Sequence, residues 1–240
     1  MRRRPRLLLL LPLAGLMVTG VWFWNAHRVR GYLRQAEAAL KRHDLASAAG
    51  HLDHYLEHQP GDTAAWFLAA RTGRRLGRYP EAEQCLKRCQ ELGGVTDATR
   101  LEWDLFRVQQ GELGDIDKRL RMTIAPDHPD SAFVLEALAH GYLKGERLRD
   151  VVDACELCLA RQPDYPWPWL LRAKVFDQLG NFNQAQADYE RALEKAPHER
   201  EARLALGTLL ARERHPGLAA EHFQYLLERS PEDADALVGL

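Results

Sequence analysis

Large apolar residues recur at every third or fourth position along most of this chain, in short runs separated by turn residues. The stretch from Pro166 to Glu199 shows the pattern most clearly. Trp169 and Phe176 lie seven residues apart, Gly180 follows, and then Ala185, Tyr189 and Ala192 recur at spacings of four and three before Pro197. A 3.6-residue period on either side of one glycine predicts two short amphipathic helices joined by a tight turn. No run of residues alternates in the manner of a strand. Leu, Ala, Arg and Glu dominate while β-branched residues are sparse, which suits helices. The predicted class is all-α.

The spacing resembles the tetratricopeptide repeat, a helix–turn–helix unit of 34 residues with Trp, Gly, Tyr, Ala, Phe and Pro at fixed places. Trp169, Phe176, Gly180, Ala185, Tyr189, Ala192 and Pro197 carry the resemblance. The chain departs from it at Arg172 and Ala173, where the family prefers Leu-Gly. Steps of one repeat in both directions give six units: 29–62, 63–96, 98–131, 132–165, 166–199 and 200–233, with one inserted residue near Asp97. The unit at 98–131 is the weakest, because Asp117 stands where a small residue is wanted. Residues 234–240 read as the start of a truncated seventh unit, which would leave Leu226, Leu227, Leu237 and Leu240 uncovered and prone to self-association. One helix pair cannot bury its apolar stripe alone, so neighbouring pairs stack to enclose a continuous core. The expected architecture is a right-handed α-solenoid of helix–turn–helix repeats, preceded by one N-terminal transmembrane helix.

Residues 1–28 are expected to form a cytoplasmic basic tail and this transmembrane signal-anchor. Arg2, Arg3, Arg4 and Arg6 precede an apolar run from Leu7 to Trp24. Eighteen residues at 1.5 Å each reach about 27 Å, close to the roughly 30 Å of a bilayer core. Trp22, Phe23 and Trp24 suit the far interface. The reading is an uncleaved signal-anchor, with the N-terminus cytoplasmic and the repeats on the periplasmic side of a bacterial envelope. The competing reading is a cleaved secretory signal, with Val18-Thr19-Gly20 as a poor cleavage site.

Charge and candidate chemistry add little. With 33 basic and 34 acidic residues the chain lacks the basic excess of a nucleic-acid binder. Cys155-x2-Cys158 has the spacing of a metal or redox pair. Its thiols, like Cys89, fall on core places of the repeat, however, and read as small buried hydrophobes. His51, His54 and His58 share one helix face but spread over two turns, which suits a solvated stripe better than one metal ion. No P-loop, nucleophile elbow or dinucleotide fingerprint occurs. Neither cofactor nor catalysis is expected.

What remains is a binding surface. By the family's geometry the first helix of each unit lines a concave groove. The groove positions include Phe67, Arg71, Arg74 and Arg75, then Glu102, Phe106, Gln109 and Gln110, then Phe133, Glu136, His140 and Lys144, and finally Trp167, Lys174, Asp177 and Gln178. Aromatics mixed with Arg are typical of partner surfaces. The resemblance therefore implies a scaffold that binds a protein or peptide segment, with the Arg cluster favouring an acidic one. The alternatives are a non-catalytic part of a larger enzyme or complex, and a secreted periplasmic chaperone.

Overall fold

The computed structural model describes residues 28–123, 128 and 130–240, and every regular element among them is a helix. The expected membrane segment lies outside the described residues. Among those described, no helix is long and apolar enough to cross a membrane. The chain divides into two compact units, Met1–Val95 and Thr96–Leu240. In the first, α1 (28–41) and α2 (Leu45–His58) form one pair, α3 (Thr63–Arg75) and α4 (Tyr79–Gly93) the next. The second unit contains α5 (Asp97–Gln109) with α6 (Gly114–Thr123), α7 (Ser131–Lys144) with α8 (Leu148–Arg161), α9 (Pro166–Gln178) with α10 (Phe182–Lys195), α11 (Arg200–Arg212) with α12 (Pro216–Arg229), and the short α13 (Ala234–Gly239).

Each pair turns through one residue in the left-handed region: His43, Gly77, Gly111, Glu146, Gly180 and Arg214. The amide after it donates to the carbonyl five residues back in every case. These bonds are Asp44 to Ala39 at 2.9 Å, Arg78 to Gly73 at 2.9 Å, Glu112 to Arg107 at 3.0 Å, Arg147 to Tyr142 at 2.9 Å, Asn181 to Phe176 at 2.8 Å and His215 to Leu210 at 2.8 Å. This closure satisfies carbonyls that the end of a helix leaves without partners. Successive left-handed residues are 34 positions apart, except from Gly111 to Glu146, where the step is 35. α6 begins three residues after Gly111, whereas every other second helix begins two after its left-handed residue. The extra residue thus sits in the third turn and not near Asp97. A second left-handed glycine, Gly114, accommodates it with φ of +40°.

Junctions between pairs are fastened by a second recurring bond. Trp66 Nε1 donates to the Pro60 carbonyl at 3.0 Å and Trp169 Nε1 to the Pro163 carbonyl at 3.2 Å. In the next pair Arg203 takes the same place and donates to the Pro197 carbonyl at 2.6 Å. The N-caps are tied as well. Asp62 accepts from the Ala65 amide and from the Tyr55 hydroxyl at 2.8 Å, and Asp233 accepts from the Ala236 amide and twice from Arg200 at 2.7 Å.

The small residues Ala36, Ala48, Ala82, Ala139, Ala173, Ala185 and Ala219 are buried where helices meet. In the second unit one apolar cluster runs from Leu105 to Val175, and another runs from Ala173 to Ala236. α13 packs on α11 and α12, so Leu226 is buried and Leu227 half-buried. Leu237 and Leu240, with Val238, stay exposed. Leu226 and Leu227 are therefore better covered than the sequence suggests.

Two departures from the repeat are compensated by ion pairs. Arg172 replaces the family's Leu. Its Nε and Nη2 donate to Asp188 at 2.7 and 2.9 Å, and its Cζ lies 5.1 Å from the Trp169 ring centroid and 5.7 Å from that of Phe176. Asp117 replaces a small residue. It accepts from the Tyr142 hydroxyl at 2.5 Å, from Arg121 Nε at 2.8 Å and from Arg147 Nη1 at 3.4 Å. Burial alone would raise the Asp117 pKa, but the bonds from Tyr142 and Arg121 outweigh it and hold the carboxyl below its ordinary value. A carboxyl lowered in this way stabilises the fold above its unfolded pKa, and the contribution is lost as the pH falls through the folded value.

Two stability predictions follow from these features. Glu146→Gly and Arg214→Gly, at left-handed positions that glycine occupies without a Cβ penalty, should each raise stability by about 0.5–1 kcal/mol in urea unfolding. Gly180→Ala should lower it by a comparable amount. Asp188→Ala, which removes both short bonds to the Arg172 guanidinium and leaves it Glu156 at 3.8 Å, should cost about 2 kcal/mol. Arg172→Leu combined with Asp188→Ala should lie within about 1 kcal/mol of the parent.

Candidate partner-binding surface

The expected groove residues fall into two classes. On α3, Phe67, Arg71 and Arg75 are half-buried, and the Arg71 Cζ stacks 4.9 Å from the Phe67 centroid. Arg74, in contrast, is 0 % exposed. On α5, Glu102, Phe106 and Gln109 are buried, while Gln110 is half-buried. Phe106 packs edge-on against Trp103 at 5.5 Å. α7 presents Phe133 and His140 half-buried and Lys144 exposed, but Glu136 is buried and accepts from the Tyr165 hydroxyl at 3.3 Å. On α9, Trp167 is 9 % exposed and meets Tyr165 edge-to-face at 6.0 Å. Lys174 and Asp177 are half-buried and Gln178 exposed.

Arg74, Glu102, Phe106, Gln109, Glu136 and Trp167 are thus enclosed, where the sequence suggested open positions. α5 and α7 approach so closely that a Cβ on Gly141 would stand 2.4 Å from the Val108 carbonyl oxygen, which leaves little room between the two helices. The residues with open surface are Phe67, Arg71, Arg75, Gln110, Phe133, His140, Lys144, Lys174, Asp177 and Gln178.

Three of these converge. Lys174, Asp177 and Gln178 of α9, with Tyr189 of α10 and Arg212 of α11, line an open recess of about 260 Å³. Lys174 is ion-paired with Glu201, and Arg212 with Asp177. The Arg212 Cζ also lies 4.3 Å from the Phe182 ring centroid. Tyr189 closes the floor. Burial, with the charges of Asp177 and Glu201, raises its phenol pKa, so it is a neutral hydroxyl at physiological pH. Two cations and two carboxylates thus frame a wall with no net charge. Sequence reasoning missed Glu201 and Arg212, although the spacing that gives Trp167 and Gln178 on α9 gives Glu201 and Arg212 when carried one repeat on to α11.

The other candidates are dispersed. His51 is half-buried, and His54 and His58 are exposed. His54 meets the Tyr32 ring in a tilted contact at 5.4 Å and lies 3.6 Å from Glu57. Among the described residues no three His, Cys, Asp or Glu side chains gather in a geometry that could hold a metal. Cys89, Cys155 and Cys158 are buried and Cys85 half-buried. Burial, reinforced by Asp53 and Glu81, pushes the Cys85 thiol up to about 11. Burial and the Glu136 charge push Cys158 up to about 12 against the pull of Arg161.

The profile of the tetratricopeptide repeat family matches residues 33–93 and 170–234, more than half of the chain. The chain belongs to the tetratricopeptide repeat family. Its fold is similar to that of a chain from the APC/C hetero-tetramer Cut9–Hcn1, with a TM-score of 0.58 and 16 % identity over 88 % of this chain and 42 % of that one. This chain therefore spans less than half of that relative. It is also similar to PilW, a widely conserved type IV pilus biogenesis factor, with a TM-score of 0.55 and 13 % identity over 88 % of this chain and 97 % of that one. PilF of Pseudomonas aeruginosa gives 0.51 and 16 % over 89 % and 96 %. No curated protein matches the chain by sequence. At these identities the structural likenesses establish the tetratricopeptide fold and nothing more specific.

A thiol pKa raised by burial leaves the neutral, unreactive form at pH 8. Titration of the native protein with a thiol-specific chromogenic reagent should therefore label at most Cys85 at first. Cys89, Cys155 and Cys158 should react only with unfolding, and prompt labelling of more than one thiol per native chain would contradict their core placement.

Proposed function

We propose that this tetratricopeptide protein is a non-catalytic scaffold anchored in a bacterial membrane by residues 1–28, with its N-terminus cytoplasmic and its repeats on the periplasmic side. Repeat scaffolds of this family typically serve protein–protein interaction. The partner is a protein or peptide segment bearing acidic residues, bound along the first-helix faces. In the Met1–Val95 unit it meets Phe67, Arg71 and Arg75. In the Thr96–Leu240 unit it meets Phe133, His140, Lys144, Lys174, Asp177, Gln178 and Arg212. The single observation that carries this reading is the open recess between α9 and α11, where Lys174 and Arg212 are already held by carboxylates that an incoming acidic side chain can replace. The exposed Leu237, Val238 and Leu240 add an apolar edge suited to self-association.

The experiment is an affinity pull-down from solubilised membranes, followed by binding measurements with the recovered partner. Arg71→Glu and Arg75→Glu with Lys174→Gln, all in partly exposed side chains, should weaken binding by roughly ten-fold in total while the thermal midpoint moves little, and added salt should weaken it further. Unchanged binding with unchanged stability would remove the groove reading. Carbonate washing of membranes tests the anchor separately: the chain should remain in the pellet, and release of a chain lacking residues 1–20 would contradict retention.

A further inference from the structure

Tyr225 of α12 is stacked between two guanidinium groups. The Cζ of Arg203, from α11, lies 3.5 Å from its ring centroid, and the Cζ of Arg229, one turn on along α12, lies 3.8 Å from it. Two guanidinium carbons that close to one centroid would overlap on a single face, so they occupy opposite faces. Their separation is at most the sum of those distances, about 7 Å. At the ring's edge the Tyr225 hydroxyl and His198 Nδ1 share a hydrogen bond of 2.6 Å.

Many arginines of the second unit are held by carboxylates. Arg172 holds Asp188, Arg191 holds Glu194, and Arg200 holds Asp233 and Asp235. Among the described residues neither Arg203 nor Arg229 has a carboxylate in ion-pair range. The acids Glu190 and Glu221 act on His222, whose pKa is lowered by burial and by Arg203. Arg203 donates from Nη2 to the Pro197 carbonyl, but its Nε is buried with no partner. Stacking on an aromatic face uses the flat surface of a guanidinium and leaves its edge N–H donors directed away from the ring, where they suit a carboxylate.

We propose that Arg203 and Arg229, spaced by Tyr225, form a two-pronged surface for an extended segment of a protein partner in which acidic residues occupy alternate positions. In an extended chain the side chains that share one face are two residues apart, about 6.7 Å, which falls within the span that opposite faces of one ring allow the two guanidinium groups. Each carboxylate takes one guanidinium. The surface involves none of the residues assigned to the first-helix groove and stands independently of it.

The test is fluorescence anisotropy with the full chain and a labelled peptide alternating Glu with Ala, against a peptide of the same composition whose Glu residues are contiguous. The alternating peptide should bind more tightly, and its binding should fall with salt. Arg229→Gln, at an exposed position, should weaken it about ten-fold without moving the thermal midpoint. Arg191→Gln, an exposed arginine of α10 outside both surfaces, should leave it unchanged. Absence of binding, equal binding of the two peptides, indifference to Arg229→Gln, or displacement by inorganic phosphate at matched charge would each overturn the proposal, the last by showing an anion site with no preference for a peptide.

Discussion

The hydrogen bond from the residue after each left-handed turn to the carbonyl five positions back is the constraint on which the rest of the structure depends. An amphipathic helix of 13 or 14 residues is marginal by itself, since nucleation costs more than a few hydrogen bonds return. Closing the chain sharply holds the apolar face of the second helix against the first, so that each covers the other. The same closure recurs at Asp44, Arg78, Glu112, Arg147, Asn181 and His215, so each pair presents its small residues to its partner in the same register. The Trp66–Pro60, Trp169–Pro163 and Arg203–Pro197 bonds then set where the next pair begins.

Much of this is legible in the residues. Trp169, Gly180, Ala185, Tyr189 and Pro197 each report one requirement of the pair: an indole that spans the junction, a left-handed turn, a close helix approach, a buried filler and a stop. Legibility fails where a side chain performs another residue's task. His43, Glu146 and Arg214 turn the chain as glycine does, but their identity does not announce a positive φ. Arg203 replaces an indole and still reaches the proline carbonyl. Asp117 looks like a defect in the third pair until Tyr142, Arg121 and Arg147 are seen to satisfy it, and Arg172 is explained only by Asp188 across the pair. The family profile skips 94–169, the stretch that holds Asp117 and the lengthened turn after Gly111.

The candidate surface was legible in a different measure. Spacing along a first helix locates a side chain on a face, but it does not say whether a neighbour covers that face. Arg74, Phe106, Gln109 and Trp167 share positions with open residues elsewhere and are enclosed. Lys174, Asp177 and Gln178 remain accessible because α9 and α11 leave a recess between them. The Arg203–Tyr225–Arg229 stack had no signature in the periodicity, because it joins residues of two helices across one pair.

Hydrogen exchange resolved to single amides tests the central claim most directly. If the turn closures hold the pairs together, the amides of Asp44, Arg78, Glu112, Arg147, Asn181 and His215 should be protected as strongly as those in the interiors of the adjoining helices, although all six lie beyond a helix end. Exchange of these amides at the rate of an unstructured peptide, with the helices still protected, would contradict it.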